Sequence, residues 1–107
     1  MKTTDLIPIG QLAARTGVSV SAIRFYEDKG LIRAMRNAGG QRRFLRSDVR
    51  RLSFVMIAQQ LGFTVAEIGE LLSGLPQERT PTKADWSKIS AQFRERLDTQ
   101  IERLELM

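Results

Sequence analysis

The stretch IGQLAARTGVSVSAIRFYEDKGLIRAMRNAGGQRRF, Ile9 to Phe44, decides how the rest of the chain is read. Pro8 stands before a helical pattern from about Ile9 to Thr16, with Ile9, Leu12 and Ala13 on one face, and Gly17 is a residue that can end a helix in the left-handed conformation. A second helix follows almost at once, from about Val20 to Lys29. Ser19 is placed to accept a hydrogen bond from a free backbone N–H of its first turn, and Val18 and Ile23 occupy the positions of a hydrophobic staple. Helix, glycine turn and short second helix is the helix-turn-helix arrangement, in which the second helix enters the major groove of DNA.

From Leu31 to Phe44 the pattern changes to a hairpin. Asn37-Ala38-Gly39-Gly40 tolerates positive φ at the tip, and the short apolar pieces Leu31-Ile32 and Phe44-Leu45 flank it. Its arms carry Arg33, Arg36, Arg42 and Arg43, and alternation along a ribbon sends some of these outward and Phe44 toward the core. Charge on such an edge either contacts phosphate or blocks aggregation. Beside a helix-turn-helix, phosphate contact is the favoured reading for Arg42 and Arg43. On the second helix Arg24 is the best candidate for base contact, because a guanidinium can donate two hydrogen bonds to guanine O6 and N7. Ser21 and Tyr26 offer hydroxyls for phosphate or a base edge, against the alternatives of a capping or surface serine and a core ring. For Gln11 and Arg15 on the first helix, backbone contact and plain exposure are equally weighted.

Working outward, a third helix is expected from Ser47 to Leu61, capped by Ser47, favoured by Asp48 in its first turn and stopped by Gly62. Its run Phe54-Val55-Met56-Ile57-Ala58 is apolar on nearly all sides, which predicts burial with Met56 in the core. Gln59 and Gln60 interrupt that run, and one of them either reaches DNA or is simply exposed. Thr64 and Glu67 form a capping box for a fourth helix, with Phe63 and Ile68 as its staple and Val65, Ile68, Leu71, Leu72 and Leu75 as its buried stripe. After a polar connector over residues 77–81, Thr82 and Asp85 form another capping box and a long helix begins. Its apolar residues Trp86, Ile89, Phe93, Leu97, Ile101 and Leu104 recur in steps of three, four, four, four and three, a mean of 3.6. This stripe needs a partner, either a second chain or the head of its own chain.

Charge is unevenly divided. The 107-residue chain carries +5, of which residues 1–53 hold 11 Lys or Arg against 4 Asp or Glu, and residues 54–107 hold 6 against 8. A basic first half suits a polyphosphate partner, because each neutralised phosphate releases condensed counterions. With 42% hydrophobic residues the chain can build one modest core. It has no cysteine and no histidine, hence no disulfide framework and no thiolate metal site. Neither a paired-carboxylate motif nor a phosphate-binding glycine motif is present, so no enzyme is expected. Without a membrane-length apolar segment or an apolar N-terminal region, the expected location is cytoplasmic.

Arg24-Phe25-Tyr26-Glu27-Asp28-Lys29-Gly30-Leu31 resembles the signature of the MerR family of transcription regulators. Arg36-Asn37-Ala38-Gly39-Gly40-Gln41-Arg42-Arg43-Phe44, Ile57-Ala58-Gln59-Gln60-Leu61-Gly62, Ile68-Gly69-Glu70 and Leu75-Pro76 are similar to its redox-sensing SoxR branch. The resemblance covers nearly the whole chain. It implies a mainly α fold: a winged helix-turn-helix head over residues 1–76 with a small β-hairpin wing, then a long dimerisation helix over residues 82–107. The third and fourth helices look like a second wing. The implied DNA-binding residues are Ser21, Arg24, Tyr26, Arg36, Gln41, Arg42, Arg43 and Gln59. The implied homodimer pairs its last helices antiparallel through Trp86, Ile89, Phe93, Leu97, Ile101 and Leu104. At about 1.5 Å per residue, a wholly helical Asp85 to Met107 extends on the order of 35 Å, near the spacing of half-sites one DNA turn apart.

By the same resemblance, the function is activation by distorting promoter DNA, with RNA polymerase engaged indirectly. A [2Fe–2S] centre is implied for the full-length protein, on a cysteine cluster this chain lacks. The apolar pattern runs to Leu104-Glu105-Leu106-Met107 without a helix stop, so truncation is the expectation. The alternatives are a short MerR-like repressor or excision factor without a sensor, and a helix-mediated protein-interaction module.

Overall fold

A computed structural model describes residues 6–76 and 80–106. Of the expected connector, residues 77–79 lie outside the described residues, as do the polar start of the chain, residues 1–5, and Met107. Helix α1 (Ile9–Thr16) ends at Gly17, whose N–H donates to the Ala13 carbonyl at 2.9 Å and whose φ of 75° turns the chain out of the helix. Ser19 caps α2 (Val20–Asp28), its Oγ accepting from the Ala22 N–H at 3.1 Å. Helix α2 stops one residue before the expected Lys29 because a reciprocal pair of turn bonds closes its end. Leu31 N–H donates to the Tyr26 carbonyl and Gly30 N–H to that of Glu27, with Gly30 at φ 77°.

Three short strands follow the order β1-β3-β2, all antiparallel: β1 (Leu6–Ile7), β2 (Met35–Arg36) and β3 (Arg42–Leu45). The expected two-stranded hairpin is therefore completed by a third strand from before α1. Leu6 pairs with Leu45 and Ile7 with Phe44, and Ile7, Phe44 and Leu45 are all buried. Two residues are too short for an alternating pattern to show in the sequence.

Helix α3 (Asp48–Gln60) corrects the expected cap. Ser47 already has helical backbone angles, φ −63° and ψ −15°, and its side chain makes no cap bond. The entry is a tight turn in which the Val49 N–H reaches the Arg46 carbonyl and the Arg50 N–H that of Ser47, and a cap needs extended angles. Along α3, Leu52, Val55 and Ala58 are buried and Phe54 and Met56 pack against the core, whereas Ile57 is 52% exposed. The apolar run is thus buried on one side only. Helix α4 (Val65–Leu72) begins at the Thr64–Glu67 capping box, with bonds of 3.1 and 2.9 Å.

The head's core contains Leu12, Ile23, Leu31, Ile32, Phe44, Leu52, Val55, Ile68 and Leu71. Beside it lies an ion pair that sequence reading had not singled out. Asp48 and Arg51 are both buried, 3.3 Å apart, and Arg51 also donates to the Pro76 carbonyl at 2.6 Å, tying α3 to the chain after α4. Burial pushes the Asp48 carboxyl up to about 6, against the opposing pull of the Arg51 charge.

Helix α5 (Lys83–Glu105) starts at the Thr82–Asp85 capping box, with bonds of 3.2 and 2.8 Å. Its stripe divides along its length. Trp86 and Ile89 are buried in the core of the head, so the core continues past the connector into the last helix. Phe93 packs edge-on to Phe54 at 5.1 Å and against Phe63 at 5.0 Å, and Leu97 is partly buried beside it. The Arg50 guanidinium covers the Trp86 ring at 4.5 Å. Beyond Leu97, Ile101 and Leu104 are 51% and 69% exposed. No helix of the described residues is long and apolar enough to cross a membrane.

Candidate nucleic-acid interface

The outward face of α2 is set by the burial of its inward face. Ile23 and Tyr26 are buried, which turns Ser21, Arg24, Phe25 and Asp28 to solvent at the i, i+3, i+4, i+7 spacing of one helical stripe. Arg24 makes no hydrogen bond or ion pair with any described residue, so none of these engages its five N–H donors. Phe25 is 46% exposed, lies 5.7 Å from the Tyr26 ring and carries the Lys29 ammonium 5.6 Å from its centroid. An exposed aromatic face on the same helical stripe as Arg24 can pack on sugar or base, a role that the sequence alone does not assign to Phe25.

Tyr26 and Gln59, expected separately on two helices, are brought together. The tyrosine ring belongs to the core, and its hydroxyl donates to Gln59 Oε1 across from α3. The Gln59 side-chain amide retains its own N–H donors on an exposed residue. The pair therefore fixes α3 against α2 and presents one donor group to solvent.

Asn37 organises the wing. Its Oδ1 accepts from the N–H groups of Gly39 and Gln41, each at 3.0 Å, and its own N–H donates to the Gln41 carbonyl. The tip was expected to rest on residues tolerant of positive φ, but only Gly40 takes one, at 79°. Asn37 acts instead through its side-chain acceptor, a habit of asparagine in turns that its identity alone could have suggested. Arg36 donates to the Gly40 carbonyl at 2.8 Å, and Arg43 to Gln41 Oε1 at 3.0 Å and to the Arg42 carbonyl at 2.7 Å. Arg42 forms an ion pair with Glu27 of α2. The three arginines are thus oriented by the wing and by α2. Among the described residues, no group of three or more His, Cys, Asp or Glu side chains is placed to hold a metal ion.

Residues 7–75 match the family model described as MerR HTH family regulatory protein, and residues 49–107 match the one described as MerR, DNA binding. The chain is 47% identical over 98 residues to an HTH-type transcriptional activator SoxR homolog of Chromobacterium violaceum, covering 92% of this chain and 66% of that protein. It is 48% identical over 67 residues to a mercuric resistance operon regulatory protein of Shigella flexneri, covering 62% of this chain and 46% of that one. A MerR family regulator lacking the sensor domain, HiNmlR, solved bound to promoter DNA, has a similar fold. Its TM-score is 0.57 at 20% identity, over 94% of this chain and 86% of that one.

Proposed function

The chain belongs to the MerR family of helix-turn-helix DNA-binding transcription regulators, and from that premise we propose that it reads an operator with α2 while its wing holds the flanking phosphates. The observation that carries this reading is the exposed Arg24, which bonds to no other described residue, on a capped helix beside a wing whose Arg36, Arg42 and Arg43 are already oriented. Ser21, Gln41 and the Gln59 amide complete the proposed contact set. Tyr26 acts in it through the bond that holds Gln59.

Two such heads, joined through α5, would meet successive major grooves of a promoter. The proposed homodimer pairs the exposed outer part of α5 around Ile101 and Leu104 with the same helix of a second chain, and Phe93 and Leu97 extend that seam on their open side. Bending of the promoter by such a dimer costs about 1 to 6 kcal/mol, a magnitude that phosphate contacts from two wings can offset, and it would act on RNA polymerase through DNA shape. The similarity to the SoxR homolog supports a transcriptional activator, and the residues that resemble the redox-sensing branch are the ground on which a redox response and a cytoplasmic location are proposed. These 107 residues contain no cysteine and no histidine and do not fit a [2Fe–2S] cluster, so the redox response is proposed for the whole protein, with no step through the cluster in this chain.

Selecting duplexes from a random pool and then comparing Arg24→Ala on selected and mixed-sequence DNA tests the reading. Arg24→Ala should weaken selected-site binding by about 1 to 3 kcal/mol, confined to one base position per half-site, with little effect on mixed sequence. Equal losses on both duplexes would remove Arg24 from base reading.

A further inference from the structure

The wing arginines differ in what holds them. Arg36 and Arg43 rest on uncharged acceptors of the wing itself, whereas Arg42 rests on a carboxylate of the other element, Glu27 of α2. The Glu27 side chain is 22% exposed and that of Arg42 52%. Arg42 uses Nη2 for the ion pair, and its Nε and Nη1 donate to no described residue. The guanidinium is therefore anchored at one corner, and no described residue engages its other edge.

A carboxylate on a DNA-facing element repels phosphate unless a cation neutralises it, and an arginine ordered before binding loses less side-chain freedom when a phosphate arrives. Both conditions meet in this pair. We propose that Glu27 is a positioning residue for phosphate recognition: it anchors the Arg42 guanidinium between α2 and β3 so that the free edge bridges to a DNA phosphate. The inference rests on the DNA-binding reading above. In the bound state Arg42 joins two anions, the Glu27 carboxylate and a backbone phosphate, and so fixes the wing relative to the base-reading helix.

The sign of one substitution in two backgrounds tests this. Binding of the 107-residue chain and its variants to a mixed-sequence duplex would be followed by fluorescence anisotropy, after thermal unfolding has established that each variant is folded. Glu27→Gln should weaken binding about two- to fivefold, the range of an exposed ion pair. In the Arg42→Ala background the same substitution should strengthen binding by a similar factor, because the carboxylate then faces phosphate without its cation. Glu70→Gln, which removes the exposed ion pair to Arg96 between α4 and α5, should change neither. Weakening by Glu27→Gln in both backgrounds would mean a purely structural role, and strengthening in both would mean simple repulsion. Either result, or no effect in both, overturns the proposal while leaving the DNA-binding reading intact. A folded parent chain that binds no duplex overturns both.

Discussion

The two halves of α5 carry one apolar stripe but find different surroundings. In the first half Trp86 and Ile89 are buried in the head's core, and Phe93 stacks among Phe54 and Phe63. In the second half Ile101 and Leu104 stand on open helix surface. A period of 3.6 says that a helix needs an apolar partner, and says nothing of which surface supplies it. Folding of the head and the proposed association of two chains would thus draw on the same pattern, divided by burial.

The difference should appear most strongly in stability. Ile89→Ala, which empties a fully buried site, should cost about 2 to 5 kcal/mol in denaturant unfolding. A loss below that range would mean that the first half of α5 is not part of the head's core. The paired substitutions Ile101→Glu and Leu104→Glu should change the stability of the separate chain by about 0.5 kcal/mol or less, the usual range for exposed positions. They should nevertheless convert the proposed dimer into monomers in sedimentation, since charges in a desolvated seam are costly unless paired. A dimer that survives both would break the proposed division of labour. Phe93→Glu is less informative, because it disturbs the head and the seam together.

Much of this was legible in the residues. The turn at Gly17, the Ser19 cap and both capping boxes are local hydrogen-bond arrangements between residues at most four apart, and residue identity nearly determines them. The Tyr26–Gln59 and Arg42–Glu27 pairs join separate elements, so the sequence could name candidates at each end without showing that they meet. Strand β1 was hidden by its length, and the Ser47 cap was misread because an entry turn upstream had already set its backbone to helical angles. Ile57 was misassigned because a short all-apolar run carries no periodicity from which to choose its buried side.

A smaller effect sharpens the contrast between the ordered head and the open outer helix. The Asp48 carboxyl, raised to about 6 by burial, favours the folded state most when protonated. Its contribution is present in full below the ordinary value of 3.8 and is lost as pH rises through about 6. Asp48→Asn lacks this titration. The stability of the parent chain relative to that variant should therefore increase by on the order of 1 kcal/mol between pH 7 and pH 5. A difference that is constant over that interval would contradict the assigned burial effect.

The salt dependence of duplex binding reports whether the basic head holds DNA phosphates through its wing. The logarithm of the affinity should fall linearly with that of salt concentration, and Arg42→Ala and Arg43→Ala should each lower the magnitude of the slope by about one per contact in each chain. A folded chain whose affinity does not respond to salt, or whose slope is unchanged after both substitutions, would contradict it.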